Sequence, residues 1–180
     1  MTHSLDSAVV LVTGVMAAGK STVAQALAER LPRAAHVRGD VFRRMVVSGR
    51  VDYEPGAGEE AEAQLRLRHR QSAMAAEAYA RAGFTAVVQD VVLGEWLREY
   101  VDGIGVRPLY VVVLAPRADV VAERETGRDK RGYGEWGVEG LDRVLREETP
   151  RIGLWLDTSG LSVAESVDAV LARLDRAAVR

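Results

Sequence analysis

Short unbroken apolar runs alternate along this chain with longer stretches in which apolar residues return every three or four positions. Ala8–Thr13, Phe84–Gln89 and Leu109–Ala115 ("LYVVVLA") are of the first kind and predict strands covered on both faces. Ala35–Arg38 and Ile152–Leu156 predict two shorter strands. Ser21–Leu31 is of the second kind: Val23, Leu27 and Leu31 are four apart and Pro32 follows, so a helix is expected. Glu59–Ala82 predicts a long helix, acidic at its start and stopped by Gly83. Val41–Val47, Asp119–Thr126 and Val138–Glu148 predict further helices. Ser162–Ala177 predicts a closing helix, opened by a Ser162/Glu165 capping box, with Val163, Val167, Leu171 and Leu174 along one face. Arg50–Gly58 and Gly127–Gly137 are glycine-rich and predict loops, the second a mobile one.

Strand and helix patterns thus alternate about five times, which is the signature of an α/β protein with a mostly parallel central sheet. Residues 1–7 are polar and predict a loose tail; residues 8–180 show no repeat, linker or low-complexity break and predict one domain.

Composition narrows the class. Of 180 residues, 48% are hydrophobic and 28% charged, the balance of a globular protein with a sizeable core. The net charge of −2 argues against a nonspecific nucleic-acid binder. The absence of cysteine excludes disulfides and thiolate zinc sites and fits a cytoplasmic protein. No apolar run approaches a membrane span, and "MTHSLDS" lacks a signal-peptide core.

Chemistry enters at "GVMAAGKS", residues 14–21, directly after the first apolar run. Gly14, Gly19, Lys20 and Ser21 fit G-x-x-x-x-G-K-[ST]. A random chain of this length matches in fewer than about one case in a hundred at average residue frequencies. The strand before it and the helix after it are the context the motif needs. Glycines let the loop wrap so that successive N–H groups, including those of Ala17 and Ala18, point at an anion. The helix N-terminus adds partial positive charge. Lys20 supplies a cation for the β- and γ-phosphates of ATP, the Ser21 hydroxyl a ligand for Mg²⁺, and Thr22 a contact to the α-phosphate.

Other positions read two ways. Asp90 ends the third strand in "AVVQD", where open α/β sheets bind ligands; it is expected to hold Mg²⁺ directly or through water, or else to cap a loop. Asp40 in "HVRGD" is either the acceptor of a proton from an attacking hydroxyl or a helix N-cap. Arg43 and Arg44, one turn on, orient a substrate or face solvent. Arg124 and Arg128, at a helix end running into the mobile loop, neutralise charge on a transferring phosphoryl group or simply suit the helix dipole. "RLRHR" (66–70) predicts a solvated helix face. The turn Asp157–Gly160 is expected near the nucleotide base.

Taken together, "GVMAAGKS", the Asp40 of "GD", "ARAGFTAVVQDVVLG" (80–94), "VAERETGRDKR" (121–131) and "LDTS" (156–159) resemble the small P-loop kinases of the nucleoside-monophosphate-kinase-like group. Within it, the chain most resembles chloramphenicol phosphotransferase and its relatives among small AAA-type ATP-binding proteins. The resemblance implies a three-layer fold: a five-stranded parallel sheet in order 2-3-1-4-5, flanked by helices and covered by a lid at about 127–137. It implies ATP and Mg²⁺ as donor and a small-molecule hydroxyl as acceptor, with Asp40 at the position of the catalytic base and Arg124 and Arg128 at those of the lid arginines. Gln89 stands where the chloramphenicol kinase has a second acidic residue, and residues 40–70 depart from the family pattern. The expectation is a phosphotransferase working as a monomer or homodimer, without nucleic-acid or membrane partners. The alternatives are a nucleic-acid end kinase on the same scaffold and a nucleotide-binding regulator without an acceptor.

Overall fold

A computed structural model describes residues 5–126 and 137–179. Three runs of apolar residues make the middle of the sheet: β1 (Val9–Gly14), β3 (Thr85–Gln89) and β4 (Leu109–Leu114), every residue of which is buried. β2 (Ala34–Arg38) flanks β3, and β5 (Leu154–Leu156) flanks β4. The parallel order is β2-β3-β1-β4-β5, as the resemblance implied. A sixth strand, β6 (Ala178–Val179), was not legible; it pairs antiparallel with the start of β4 through Leu109 and Tyr110. Two residues carry too little periodicity to be read from sequence.

The helices differ more from expectation. α1 (Lys20–Glu29) opens one residue early, and α2 (Gly39–Met45) includes Asp40 in its first turn. The N-cap of α2 is therefore Arg38, and no side chain caps it. α3 (Glu59–Arg81) runs as the acidic start and Gly83 predict, with Gly83 at φ +85. α4 (Glu95–Asp102) is new: Leu97, Tyr100 and Val101 bury one short face. α5 (Ala118–Thr126) and α6 (Gly137–Arg143) follow, and α6 continues as a π-helical turn over Val144–Glu148. The expected closing helix is broken at Arg173 into α7 (Val163–Ala172) and α8 (Leu174–Ala177). Its capping box forms, with the Ser162 hydroxyl and the Glu165 carboxylate satisfying each other's backbone. Val163, expected on the core face, is exposed; the inner face is Ser166, Val167 and Val170. The expected tail is also corrected at its end. Leu5 packs into the core, and its carbonyl accepts the Thr85 hydroxyl.

The sheet brings the β1–α1 connection, the end of β3 and the end of β4 to one edge. Thr13 fastens them: its hydroxyl donates to the Val92 carbonyl at 3.0 Å and accepts from the Val92 N–H at 2.9 Å. Where Val91–Gly94 passes into α4, the Gly94 N–H donates to the Thr149 hydroxyl, which donates to the Val144 carbonyl. The π-helical turn is thereby tied to the same edge. No helix among the described residues is long and apolar enough to cross a membrane.

Candidate functional site

The phosphate loop is built by backbone geometry. Gly14 ends β1 at φ +144, and a Cβ there would stand 2.4 Å from the Leu114 carbonyl oxygen, so only glycine fits. Ala17 holds φ +59, an uncommon conformation for a residue with a side chain and one that clusters at functional sites. Gly19 caps α1 in the left-handed region with no side-chain partner, which leaves the first N–H groups of the helix open toward the loop. Lys20 is buried, and its ammonium donates to the Val15 carbonyl at 2.7 Å, folding back over the loop. The Ser21 hydroxyl donates to Gln89 Oε1 at 3.2 Å.

That last contact sets Gln89, rather than Asp90, beside Ser21. Successive residues of a strand point to opposite faces. Gln89 faces α1 and meets Ser21; Asp90, next along, faces α3. Both carboxylate oxygens of Asp90 are engaged there. Arg68 Nε donates to Oδ2 at 2.8 Å, Arg68 Nη2 pairs with Oδ1, and the Val91 N–H donates to Oδ1 at 2.7 Å. The side chain is wholly inaccessible. Asp90 lines the same cleft, but the residue in contact with Ser21 is Gln89.

Arg68 was expected on a solvated face. Its side chain is only 18% exposed. His69, from the same "RLRHR" segment, is buried and stacks edge-on against Trp96 and Tyr100, with ring centroids 6.1 and 5.6 Å away. Burial pulls the imidazole below its ordinary 6.5 against the opposing charge of Asp90. A signal for this was available: Arg68, Ser72, Ala76 and Ala80 are four apart, and the last three are buried.

One cleft of 1160 Å³ joins these parts. Its lining takes in Ala17, Gly19, Lys20, Ser21 and Thr22 at one end, and Asp40, Phe42, Tyr53 and Trp96 at the other. Gly14 and Ala18 lie beneath the lining, Ala18 buried with its carbonyl toward Arg124. The Asp40 carboxylate is 47% exposed and pairs with Arg44 at 3.0 Å. Because Asp40 lies inside the first turn of α2, it does not cap the helix. Arg43 pairs with Asp52 at 2.7 Å. Tyr53 and Trp96 meet edge to face at 6.1 Å.

Arg124 spans the donor side, donating to the Ala18 carbonyl at 3.5 Å and to the Thr158 carbonyl at 3.2 Å. It thus links the phosphate loop to the Asp157–Gly160 turn. In that turn, hydrogen bonds from Ser159 hold the Asp157 carboxyl below the usual carboxylate range. Arg128 and residues 127–136 of the expected lid (about 127–137) lie outside the described residues; Gly137 opens α6.

The residues also bear on a metal. Ser21 and Gln89 offer two neutral oxygens beside the phosphate loop, the hard donor type that suits Mg²⁺. The described residues hold no group of three or more His, Cys, Asp or Glu able to cage a metal.

Sheet order and phosphate loop together define the P-loop class, with the fold of the small P-loop kinases. The chain belongs to the AAA domain family, whose model matches residues 9–147. It is similar in structure to a sugar kinase from Janibacter sp. HTCC2649, with TM-score 0.68 and 21% identity over 94% of this chain and 95% of that one. It is similar also to the APS kinase of Mycobacterium tuberculosis in complex with AMPPNP and APS, with TM-score 0.67 and 20% identity over 93% of this chain and 96% of that one. A gluconokinase from Sinorhizobium meliloti 1021 aligns with TM-score 0.65 and 20% identity over 93% of each chain. No curated protein sequence matches.

Proposed function

We propose that the protein is an ATP-dependent kinase that moves the γ-phosphate of ATP to a hydroxyl of a small molecule. The observation that carries this reading is the continuity of one cleft from the phosphate loop to Asp40 and on to an aromatic wall. Its 1160 Å³ exceeds the ~300–1,000 Å³ of a site for one drug-sized ligand, so nucleotide and acceptor fit side by side. The similar structures named above are kinases of a sugar, of APS and of gluconate, which supports a small acceptor here.

In this reading the loop N–H groups from Gly14 to Lys20 and the start of α1 receive the phosphates. Lys20 leaves the Val15 carbonyl for the β- and γ-oxygens. Ser21, with Gln89 beside it, would hold Mg²⁺, which when bound neutralises charge on those oxygens. The Asp40 carboxylate accepts a hydrogen bond from the acceptor hydroxyl and holds its oxygen in line with the γ-phosphorus. As the new O–P bond forms, the bond to the β–γ bridging oxygen breaks, ADP leaves with that electron pair, and the hydroxyl proton passes to Asp40. The transfer is largely dissociative, so orientation by Asp40 outweighs its basicity. Arg124 and Arg128 set positive charge over the transferring group. The absence of cysteine supports a cytoplasmic enzyme, and one domain acting as a monomer or homodimer suffices for this chemistry.

The test is ADP formation from Mg·ATP above the water background across a panel of hydroxylated small molecules, with a 5′-hydroxyl oligonucleotide as a separate arm. The expected result is stimulation by a small molecule and a phosphorylated product by mass. Stimulation by the oligonucleotide alone would make the protein a nucleic-acid end kinase. Turnover at the water background in every arm would make it a nucleotide-binding regulator.

A further inference from the structure

We infer that Arg68, Asp90 and Gly39 form one positioning unit that sets where Asp40 stands in the cleft, and that Asp90 is not a metal ligand. The inference rests on the kinase reading only for the role of Asp40; the arrangement of the unit stands without it.

α2 is a short helix that packs along α3 and is tied to the following loop by the Arg43–Asp52 pair. Gly39 is its one buried residue, apart from the half-buried Phe42 that packs on the core. No side chain caps its start. The ion-pair partner of Asp40 is Arg44 of the same helix, so that pair moves with α2 and cannot locate it. The end of α2 that carries Asp40 is set by the contact at Gly39. A Cβ at this position would fall 1.9 Å from Asp90 Oδ2 and 2.3 Å from its Cγ. The backbone of α2 therefore rests directly on the Asp90 carboxylate, one residue before Asp40.

The carboxylate is itself fixed. Arg68 grips both oxygens from α3, and the Val91 N–H holds one of them from the strand end. A bidentate guanidinium–carboxylate pair specifies orientation as well as distance. The end of β3, α2 and α3 thus meet at one carboxylate engaged through both oxygens. The opposite pleat direction of Gln89 leaves Asp90 no share in the Ser21 contact. Each member has a separate requirement: Arg68 the fork, Asp90 the shape and charge, Gly39 the missing side chain.

Two measurements test the unit, and neither needs an acceptor. The first is calorimetric titration with ATP, with and without Mg²⁺, read as the ratio of the two affinities. Asp90→Asn is expected to keep the wild-type ratio within about twofold, while Ser21→Ala, the control for a true ligand, lowers it about tenfold or more. A fall with Asp90→Asn as large as with Ser21→Ala overturns the inference. The second is hydrogen exchange over residues 39–45. Asp90→Asn and Arg68→Met are expected to speed exchange there about tenfold and leave residues 9–14 at the wild-type rate. Wild-type exchange over 39–45 in both variants overturns the inference. Should Arg68→Met not fold, Arg68→Lys keeps the charge without the fork and is expected to give an intermediate rate; a wild-type rate counts against the unit.

Transfer supplies a third readout once an acceptor is found. Arg68→Met is expected to lower kcat about tenfold with KM for ATP within twofold, and Arg68→Lys to recover part of it. Equal losses in kcat and in ATP affinity would make the pair a general prop of the fold. Failure of Asp40 as base is distinguishable: Asp40→Asn would then transfer normally, while the Mg²⁺ ratio and the exchange rates keep the values expected above.

Discussion

The two ends of the cleft are made in different ways. The donor end is backbone. β1 is buried throughout, and the loop after it takes its shape from Gly14, Ala17 and Gly19 and from the exposed N–H groups of α1. The acceptor end is side chain. Asp40, Arg43, Arg44 and Asp52 stand on a short helix and a loop, 41–61% exposed, and are held by ion pairs. The difference matches the ligands of the proposed kinase reaction. A triphosphate is the same in every kinase and can be met by a rigid cradle of N–H groups. An acceptor differs between enzymes, and exposed side chains on a short helix are free to change without disturbing the sheet. The Arg68–Asp90 pair lies between the two ends, where a fixed carboxylate carries the rigidity of β3 across to α2.

Breaking the acceptor end should have the largest effect on catalysis and none on the donor. Asp40→Asn is expected to lower transfer about a hundredfold or more, the usual scale for a general base. ATP affinity and thermal stability should stay at wild-type values, because Asp40 caps nothing. Near-normal transfer by steady-state kinetics would remove Asp40 from the chemistry.

Breaking the donor end should do the reverse. Lys20→Ala deletes a charged hydrogen-bond donor worth roughly 1.5–3 kcal/mol, about ten- to a hundredfold in ATP affinity. Calorimetry with ATP reads this directly, and unchanged affinity would count decisively against the phosphate loop.

Arg124 sharpens the boundary. It already ties the loop to the Thr158 turn, so it belongs structurally to the donor end. As a group acting on the transferring charge, its replacement by alanine should cost about tenfold or more in turnover and less in ATP affinity. A loss confined to affinity would assign it to the cradle alone.

The smallest effect concerns pH. His69 backs the aromatic wall of the acceptor end, and burial holds its imidazole below the ordinary 6.5. His36, in β2 and hydrogen-bonded to Gln25 of α1, is shifted the same way by burial and by Arg38. As pH falls below about 6.5, the unfolded chain takes up protons that the folded chain refuses, so stability should decline through that window and be full above it. The unfolding midpoint should therefore drop between pH 7.5 and 5.5, and His69→Phe should flatten part of that slope. An identical slope in the variant would mean that His69 is not the group responsible.

How much of this was legible varies with the kind of interaction. The strands at 9–14, 85–89 and 109–114 were readable because a strand buried on both faces needs an unbroken apolar run. The capping box at Ser162 was readable because its partners are three residues apart. α4 was missed because its apolar residues span little more than two turns. Arg68 was misread because charge suggests solvent, and only its place in the 68-72-76-80 row gave a contrary sign. Asp90 was legible at the end of the third strand beside the cleft, but its pairing with Arg68 was not, since the packing of α3 on that strand is not written locally.

The sequence by itself determined the α/β class and the phosphate loop, because each depends on residues close together in the chain. Tertiary structure alone decided which side chain at the end of β3 meets Ser21, and that Asp90 instead meets Arg68 and Gly39. Those contacts join residues 22 to 68 positions apart. No periodicity or motif spans such distances; only the folding of α3 and α2 onto the sheet brings them within hydrogen-bond reach.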